Sequence, residues 1–342
     1  ASDVYKRQGQ MWSSIMLAAL QVITAIILAF WAPGFHTITS EKDEEALKNA
    51  RQSIPASLMD ALDKAATQRH LLVATDFDGT LAPLVRNPRK AAPIPGSLEA
   101  LDTLATIPHT KAAIVSGRDI AGLRKVAPVT RDVTLVGSHG AEISDSDHEL
   151  TKHQRDLLKR LIEEVTQTAD SIPGATIEEK KYAVVLHTRT AQDPHEAKKR
   201  TVELEERLSA VPGVTLTRGK KVSEFAVINT TKDAALASLA ARWPTGADAI
   251  LYLGDDVTDE HIFTGLPARI TTPQTEIITV KVGEGDTAAQ YRIANELEAA
   301  AVLDYLCEQR NHYANAHFTW KDRKQHRKDS RSRARRMAYS AD

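Results

Sequence analysis

The chain has 342 residues, 42% of them hydrophobic and 26% charged, with a formal net charge of −1. That composition describes a globular protein of one large or two modest domains, and its charge balance argues against nucleic acid as a general partner. A single cysteine, Cys307, excludes an intramolecular disulfide and a thiolate metal centre; its apolar helical surroundings, "AAAVLDYLCEQR", make it a buried thiol.

In chain order, residues 8–40 carry no Asp, Glu, Lys or Arg, and "IMLAALQVITAIILAFW" (15–31) is long enough to approach a membrane span, with Trp12 and Trp31 where interfacial anchors sit. Lys6 and Arg7 precede it and "EKDEE" follows, the polarity of a signal anchor. The opening "ASDVYKRQGQ" lacks an initiator Met, so a mis-joined upstream segment is the other reading, and a membrane partner is expected only if residues 1–40 belong to the working protein. Residues 41–69 read as a helical linker. From residue 70, "HLLVATDF", "KAAIVSG" and "VTLVGSHG" are apolar runs ending in turns, separated by the helical patterns "SLEALDTLA" and "DIAGLRKVA". Strand, helix, strand in succession predicts an α/β fold, a Rossmann-like parallel sheet with ligands at the carboxyl ends of its strands.

The pattern then changes. A long amphipathic helix (148–169), a strand pair (176–189), a second helix (195–211) and a second strand pair (214–228) predict an α+β unit on an antiparallel sheet, inserted at 143–224 between core segments 70–142 and 225–310. Helix "KDAALASLAARW", strand "AILYLGDD" and helix "TDEHIFTGL" resume the parallel pattern. The end, 311–342, is basic and poor in aliphatics, and is expected to be a solvated tail without fixed structure. No internal repeat is visible.

"LLVATDFDGTL" (71–81) runs a strand into two aspartates. Asp76 and Asp78, two apart on extended backbone, point to the same side, and two close carboxylates are costly without a cation or a shared proton. "GDDVTDE" (254–260) follows another apolar strand, and Asp255 brought to the same sheet edge completes an oxygen-only site suited to Mg²⁺. Such a site binds phosphate beside a carboxylate nucleophile: Asp76 attacks phosphorus, Asp78 serves as acid and base, Ser116 and Gly117 hold phosphate oxygens through hydroxyl and turn amide, and Lys232 neutralises charge. The plainer alternative is a set of solvated turns.

"DFDGTLAPLV", "SGR", Lys232 and "GDDVTDE" together resemble the four motifs of the haloacid-dehalogenase-like phosphatases, with an inserted unit resembling their C2-type cap. More narrowly, residues 70–310 resemble the trehalose-6-phosphate phosphatases in "DGTLAPL", "GSHGAE", "IEEKKYAVVLHTR", "GKKVSEF" and "GDDVTDEHIF". The resemblance implies Mg²⁺-dependent hydrolysis of trehalose 6-phosphate through an aspartyl-phosphate, in the cytoplasm, with a functional link to a trehalose-phosphate synthase. It implies Asp76, the Asp78 carbonyl and Asp255 as metal ligands, with Asp259 bracing Lys232 or a metal-bound water. In the cap, Glu178, Lys180, Arg189, Lys220 and Glu224 match positions that contact the disaccharide, although "EEKK" and "RGKK" also read as solvated strand faces. His139 is a substrate contact or a hinge histidine, and Arg118 lies near the phosphate and cap or is a surface arginine; Asp256 is a supporting carboxylate. One departure stands out: the family usually has Lys-Gly where this chain has Lys232-Asp233, a negative charge that could weaken phosphate affinity. Sucrose- and mannosylglycerate-phosphate phosphatases are the neighbouring alternatives. An inactive regulatory domain would typically have lost an aspartate that is present here, and a phosphotransferase fits "GTLAP" less well.

Overall fold

The computed structural model describes residues 40–339, apart from 131, 146–149, 229, 271 and 273. In chain order the elements are α1 (Glu41–Gln52), α2 (Ala56–Ala66), β1 (Leu71–Thr75), α3 (Ser97–Thr106), β2 (Thr110–Val115), α4 (Ile120–Val126), β3 (Thr134–Gly137) and β4 (Glu142–Ile143). The inserted unit comprises α5 (Lys152–Asp170), β5 (Thr176–Glu179), β6 (Ala183–His187), α6 (Pro194–Ser209), β7 (Thr215–Gly219) and β8 (Val222–Ala226). The chain then continues through α7 (Lys232–Ala240), β9 (Ala249–Gly254), α8 (Val257–Arg269), β10 (Glu276–Val282), β11 (Tyr291–Ile293), α9 (Glu296–His317) and α10 (Trp320–Tyr339).

The larger sheet has the order β11-β10-β9-β1-β2-β3-β4, parallel except at the β3–β4 edge. Alternation along β1 divides the core: Leu71 and Val73 pack with α1, α2, α3 and α9, while Leu72 and Ala74 pack with α7 and α8. This is the three-layer arrangement that a parallel sheet, buried on both faces, requires. β1 lies between β9 and β2, with Thr75 level with Leu253 and Ile114. Asp76, Asp255 and Ser116 therefore leave neighbouring strands at one edge. The smaller sheet, β5-β6-β8-β7, is antiparallel and buries its own core, Val184, Leu186 and Phe225 against Leu157, Leu161 and Leu204.

Three expectations about the chain's organisation are corrected. Residues 41–69 are not a linker: α1 and α2 bury Ala50, Leu58 and Leu62 in the main core, and Arg51 pairs with Glu308 of α9 at 2.5 Å. The inserted unit's sheet runs to Ala226, and β4 belongs to the core sheet, so its limits are later than 143–224. The basic tail is helical from Trp320. Thr319 and Asp322 cap one another, Asp322 accepts from His109 Nε2 at 2.8 Å, and His326 meets the Ala105 carbonyl, so polar anchors hold a helix that lacks an apolar stripe. Among the described residues, no helix is long and apolar enough to cross a membrane. The apolar stretch at 15–31 lies outside the described residues.

Candidate active site

Asp76 follows β1 directly, its amide donating to the Leu253 carbonyl of β9. Its carboxylate is buried, and Oδ1 accepts from Lys232 Nζ at 3.0 Å. Lys232, the first residue of α7, also donates to Asp259 Oδ1 at 2.9 Å. Asp259 is fully buried and saturated: it also accepts from the Tyr252 hydroxyl at 2.7 Å and from the Asp255 and Asp256 amides at 3.0 Å each. Its role is therefore to fix Lys232 and the turn that presents Asp255.

Carboxylate oxygens of Asp76, Asp255 and Asp259 lie within 4.8 Å of one another. Burial first, then the neighbouring Asp259 and Asp255 carboxylates, push Asp76 up to about 8, with Lys232 pulling the other way. Burial, Asp259 and Asp256 push Asp255 up to about 7. Lys232 is buried too, but Asp76 and Asp259 outweigh that cost and hold its ammonium above its ordinary range. With Lys232 balancing Asp259, the two remaining carboxylates ionise only at a cost that a divalent cation would offset. The residues fit such an ion: all donors are oxygen, and a closed set of carboxylates resists ionisation without one.

Gly79 makes the approach possible. At φ +87° it takes a conformation few side-chain-bearing residues adopt, and a Cβ there would lie 2.0 Å from Asp255 Oδ2. Thr80 Oγ1 adds a donor to Asp255 Oδ1 at 3.4 Å. The glycine and threonine of "DGT" thus seat the aspartate of a distant motif.

Asp78 is engaged differently. Arg118 holds both its oxygens, Nε to Oδ2 at 2.6 Å and Nη2 to Oδ1 at 2.5 Å, so Arg118 meets the acid/base candidate itself. Ser116 Oγ accepts from the Arg118 amide at 3.2 Å within the same turn. His139 lies against Gly117, where a Cβ would be 2.7 Å from its Cε1, and it occupies positive φ of 54°. Burial first, and after it the Lys232 and Lys180 charges, hold His139 below its ordinary range despite Glu224.

A cavity of about 1080 Å³ joins these groups; Asp76, Asp78, Ser116, Gly117, Lys232 and Asp255 line it together with Glu178 and Lys180 of the inserted sheet. Lys180 Nζ donates to Glu224 Oε2 at 2.6 Å, and Glu178 meets His187 at 3.1 Å. Arg189 and Lys220 are exposed at the other end of that sheet, beyond the His187–Val222 rung, and are not brought to the cavity here. Asp233 is turned away as well, paired with Arg269 of α8.

Three supporting residues escaped the sequence reading. Tyr252 and Lys281 sit in apolar strands, "AILYL" and "ITVKV", where a buried hydroxyl and a buried ammonium are the only signals; Lys281 donates to the Asp255 carbonyl. Glu142 accepts from Ser138 Oγ at 2.6 Å and braces the turn carrying His139.

Residues 74–296 match the family model described as trehalose-phosphatase. The chain is 30% identical over 298 residues to trehalose-phosphate phosphatase of Mycobacterium tuberculosis, covering 81% of this chain and 72% of that protein. It is 32% identical over 286 residues to the bifunctional trehalose-6-phosphate synthase/phosphatase of Thermoproteus tenax, covering 80% of this chain and 37% of that one. An M. tuberculosis protein described as an uncharacterized glycosyl hydrolase is 33% identical over 257 residues, 71% of this chain; the match spans only 19% of its length. Among solved structures, trehalose-6-phosphate phosphatase of Aspergillus fumigatus superposes with a TM-score of 0.54 at 28% identity, covering 74% of this chain and 97% of that one. The C-terminal domain of the Candida albicans enzyme reaches 0.58 at 23% identity, covering 75% and 98%, a likeness of fold. With an α/β core, four converging motifs and these relatives, the chain belongs to the trehalose-phosphatase family.

Proposed function

We propose that this chain hydrolyses trehalose 6-phosphate to trehalose and inorganic phosphate through an aspartyl-phosphate on Asp76. The observation that carries the reading is the single cavity shared by Asp76, Lys232 and Asp255 of the core and Glu178 and Lys180 of the inserted unit. The core half handles a phosphomonoester; the other half presents charged groups that match sugar hydroxyls.

Asp76 Oδ attacks phosphorus, the new O–P bond forming as the bond to the sugar O6 breaks, and Asp78 gives its proton to the departing oxygen. Water then attacks the acyl-phosphate, Asp78 takes its proton, and phosphate leaves with Asp76 regenerated. Ser116 and the Gly117 amide hold phosphoryl oxygens, and Lys232, fixed by Asp259, balances their charge. Because Arg118 occupies both Asp78 oxygens, proton delivery requires Asp78 to turn out of that pair. Asp76, Asp255 and the Asp78 main-chain carbonyl would hold Mg²⁺, whose chemistry is to offset the repulsion between carboxylate and phosphate.

Glu178, Lys180 and Glu224 select the disaccharide, with Arg189 and Lys220 joining only if the inserted unit closes further. His139 assists where the two units meet. The T. tenax relative supports a functional link to a trehalose-phosphate synthase, and the chemistry suits the cytoplasm. The test is phosphate release by the full chain with Mg²⁺ from trehalose 6-phosphate, sucrose 6-phosphate, mannosylglycerate phosphate and p-nitrophenyl phosphate. We expect the first to give the highest kcat/KM; equal rates on all four, or none on trehalose 6-phosphate, would overturn the reading.

A further inference from the structure

The Lys232-Asp233 pair places a carboxylate next to the lysine that meets phosphate. A buried anion there would compete with the phosphoryl group for Lys232, yet the chain carries one that is 6% exposed. The structure shows where its charge goes. Arg269, in the last turn of α8, donates Nε to Asp233 Oδ2, and Thr231 adds a hydrogen bond. Gly265, one turn earlier on α8, clears the path: a Cβ there would lie 2.8 Å from Asp233 Oδ2. The cavity wall includes Lys232 and not Asp233. The first two residues of α7 are thus both tied to α8, Lys232 to Asp259 and Asp233 to Arg269.

We infer that Arg269 is a positioning residue for phosphate capture: its guanidinium neutralises Asp233 and turns it onto α8, sparing the Lys232 ammonium a third carboxylate beside Asp76 and Asp259. Asp233, Arg269 and Gly265 form one unit in this chain. Position 233 tolerates a carboxylate because position 269 supplies a cation and position 265 supplies the space. The inference rests on the phosphatase reading above.

The test compares the full-chain wild type with R269M, R269K and D233N/R269M, measuring kcat and KM for trehalose 6-phosphate and the inhibition constant of inorganic phosphate. In R269M one uncompensated charge near the site raises both KM and the phosphate inhibition constant by about fivefold, with kcat within twofold, the pattern of lost ground-state binding. D233N/R269M, with no charge left to neutralise, returns both to within twofold of wild type, and R269K, which keeps the cation, stays there. A double variant as impaired as R269M, or an R269K defect of the same size, would assign the effect to packing and overturn the inference; so would an R269M indistinguishable from wild type. If R269M does not fold, the R269K and double-variant values still decide. A wild type that releases no phosphate removes the phosphatase reading and this inference with it, whereas an active wild type with an unaffected R269M removes this inference alone.

Discussion

Replacing Gly79 by alanine tests whether the close approach of Asp255 to the DGT turn serves a metal ion. The added methyl would lie 2.0 Å from Asp255 Oδ2, 2.4 Å from its Cγ and 2.8 Å from Oδ1, so the whole carboxylate must move. The backbone at φ +87° adds a cost of about 1–2 kcal/mol for a residue with a Cβ. For a chain of this size that is a melting decrease of roughly 1–3 °C. The larger effect falls on the ion. Even changes to groups that only support a ligand lower metal affinity about 10–100-fold, and here the proposed ligand itself is displaced. Phosphate release titrated with Mg²⁺ should therefore show a half-saturating concentration at least tenfold higher (about the lower bound for a disturbed ligand), with activity partly recovered at high Mg²⁺. Asp255→Asn should give the same Mg²⁺ shift without the backbone cost. If Gly79→Ala melts lower but keeps its Mg²⁺ dependence, Asp255 is not a metal ligand and the site has been misassigned.

Asp76→Asn should keep the fold, because the amide is nearly isosteric and removes one of several clustered carboxylates, but turnover should fall below about 1%; residual activity above that level would exclude the aspartyl-phosphate route. Asp76 and Asp255 are raised to about 8 and about 7 in the metal-free protein, so the stability they contribute is complete below the ordinary carboxylate range and is lost as pH rises through those values. Mg²⁺ needs the ionised forms, so its gain in melting temperature should be larger at pH 8.5 than at pH 6; equal gains by scanning calorimetry would contradict that account. Glu224→Ala removes the partner of Lys180 at 2.6 Å and should lower kcat/KM for trehalose 6-phosphate about tenfold. Hydrolysis of p-nitrophenyl phosphate should stay within about twofold if Glu224 touches only the sugar, as proposed, and equal losses on both substrates would place Glu224 in the fold rather than in recognition.

Much of the core was legible because parallel strands are short apolar runs and their ends are marked by chemistry. Asp76 and Asp255 could be assigned to one edge before the topology was known, since carboxylates after buried strands need a common reason to be there. The order of strands was not legible: β9 lies beside β1 although the whole inserted unit separates them. The helices before β1 were misread for a local reason. "EKDEEALKNARQ" is mostly polar, and its burial rests on a few positions, Ala50 above all, that count only once α9 is beside them. Arg310 is the same case in stronger form. It is fully buried and donates to the Ala66, Arg69 and His109 carbonyls and to Thr110 Oγ1, so it joins α9 to the ends of α2, β1 and β2. In the sequence it is one arginine at the start of a basic stretch.

The site separates along the same line. Residues proposed for intrinsic chemistry, Asp76 and Lys232, could be assigned to one site from type and spacing, and the structure brings them together. Residues that act by holding another group could not, because their partners come from elsewhere in the chain. Arg118 follows a small-residue turn, and nothing local says that it grips both oxygens of Asp78. Asp233 looked like a liability beside Lys232 until Arg269 and Gly265 were seen to receive it. Both arginines bear on the same problem, which is how a phosphate site keeps carboxylates close without letting them repel the substrate. Asp259 is given to Lys232 and Tyr252, Asp233 to Arg269, and Asp78 to Arg118. Asp76 and Asp255 are the pair left that could hold a cation, although Asp76 also touches Lys232. On the proposed reading an incoming phosphate would meet Lys232 and the turn at Ser116, while Asp259, Asp233 and Asp78 already have donors of their own.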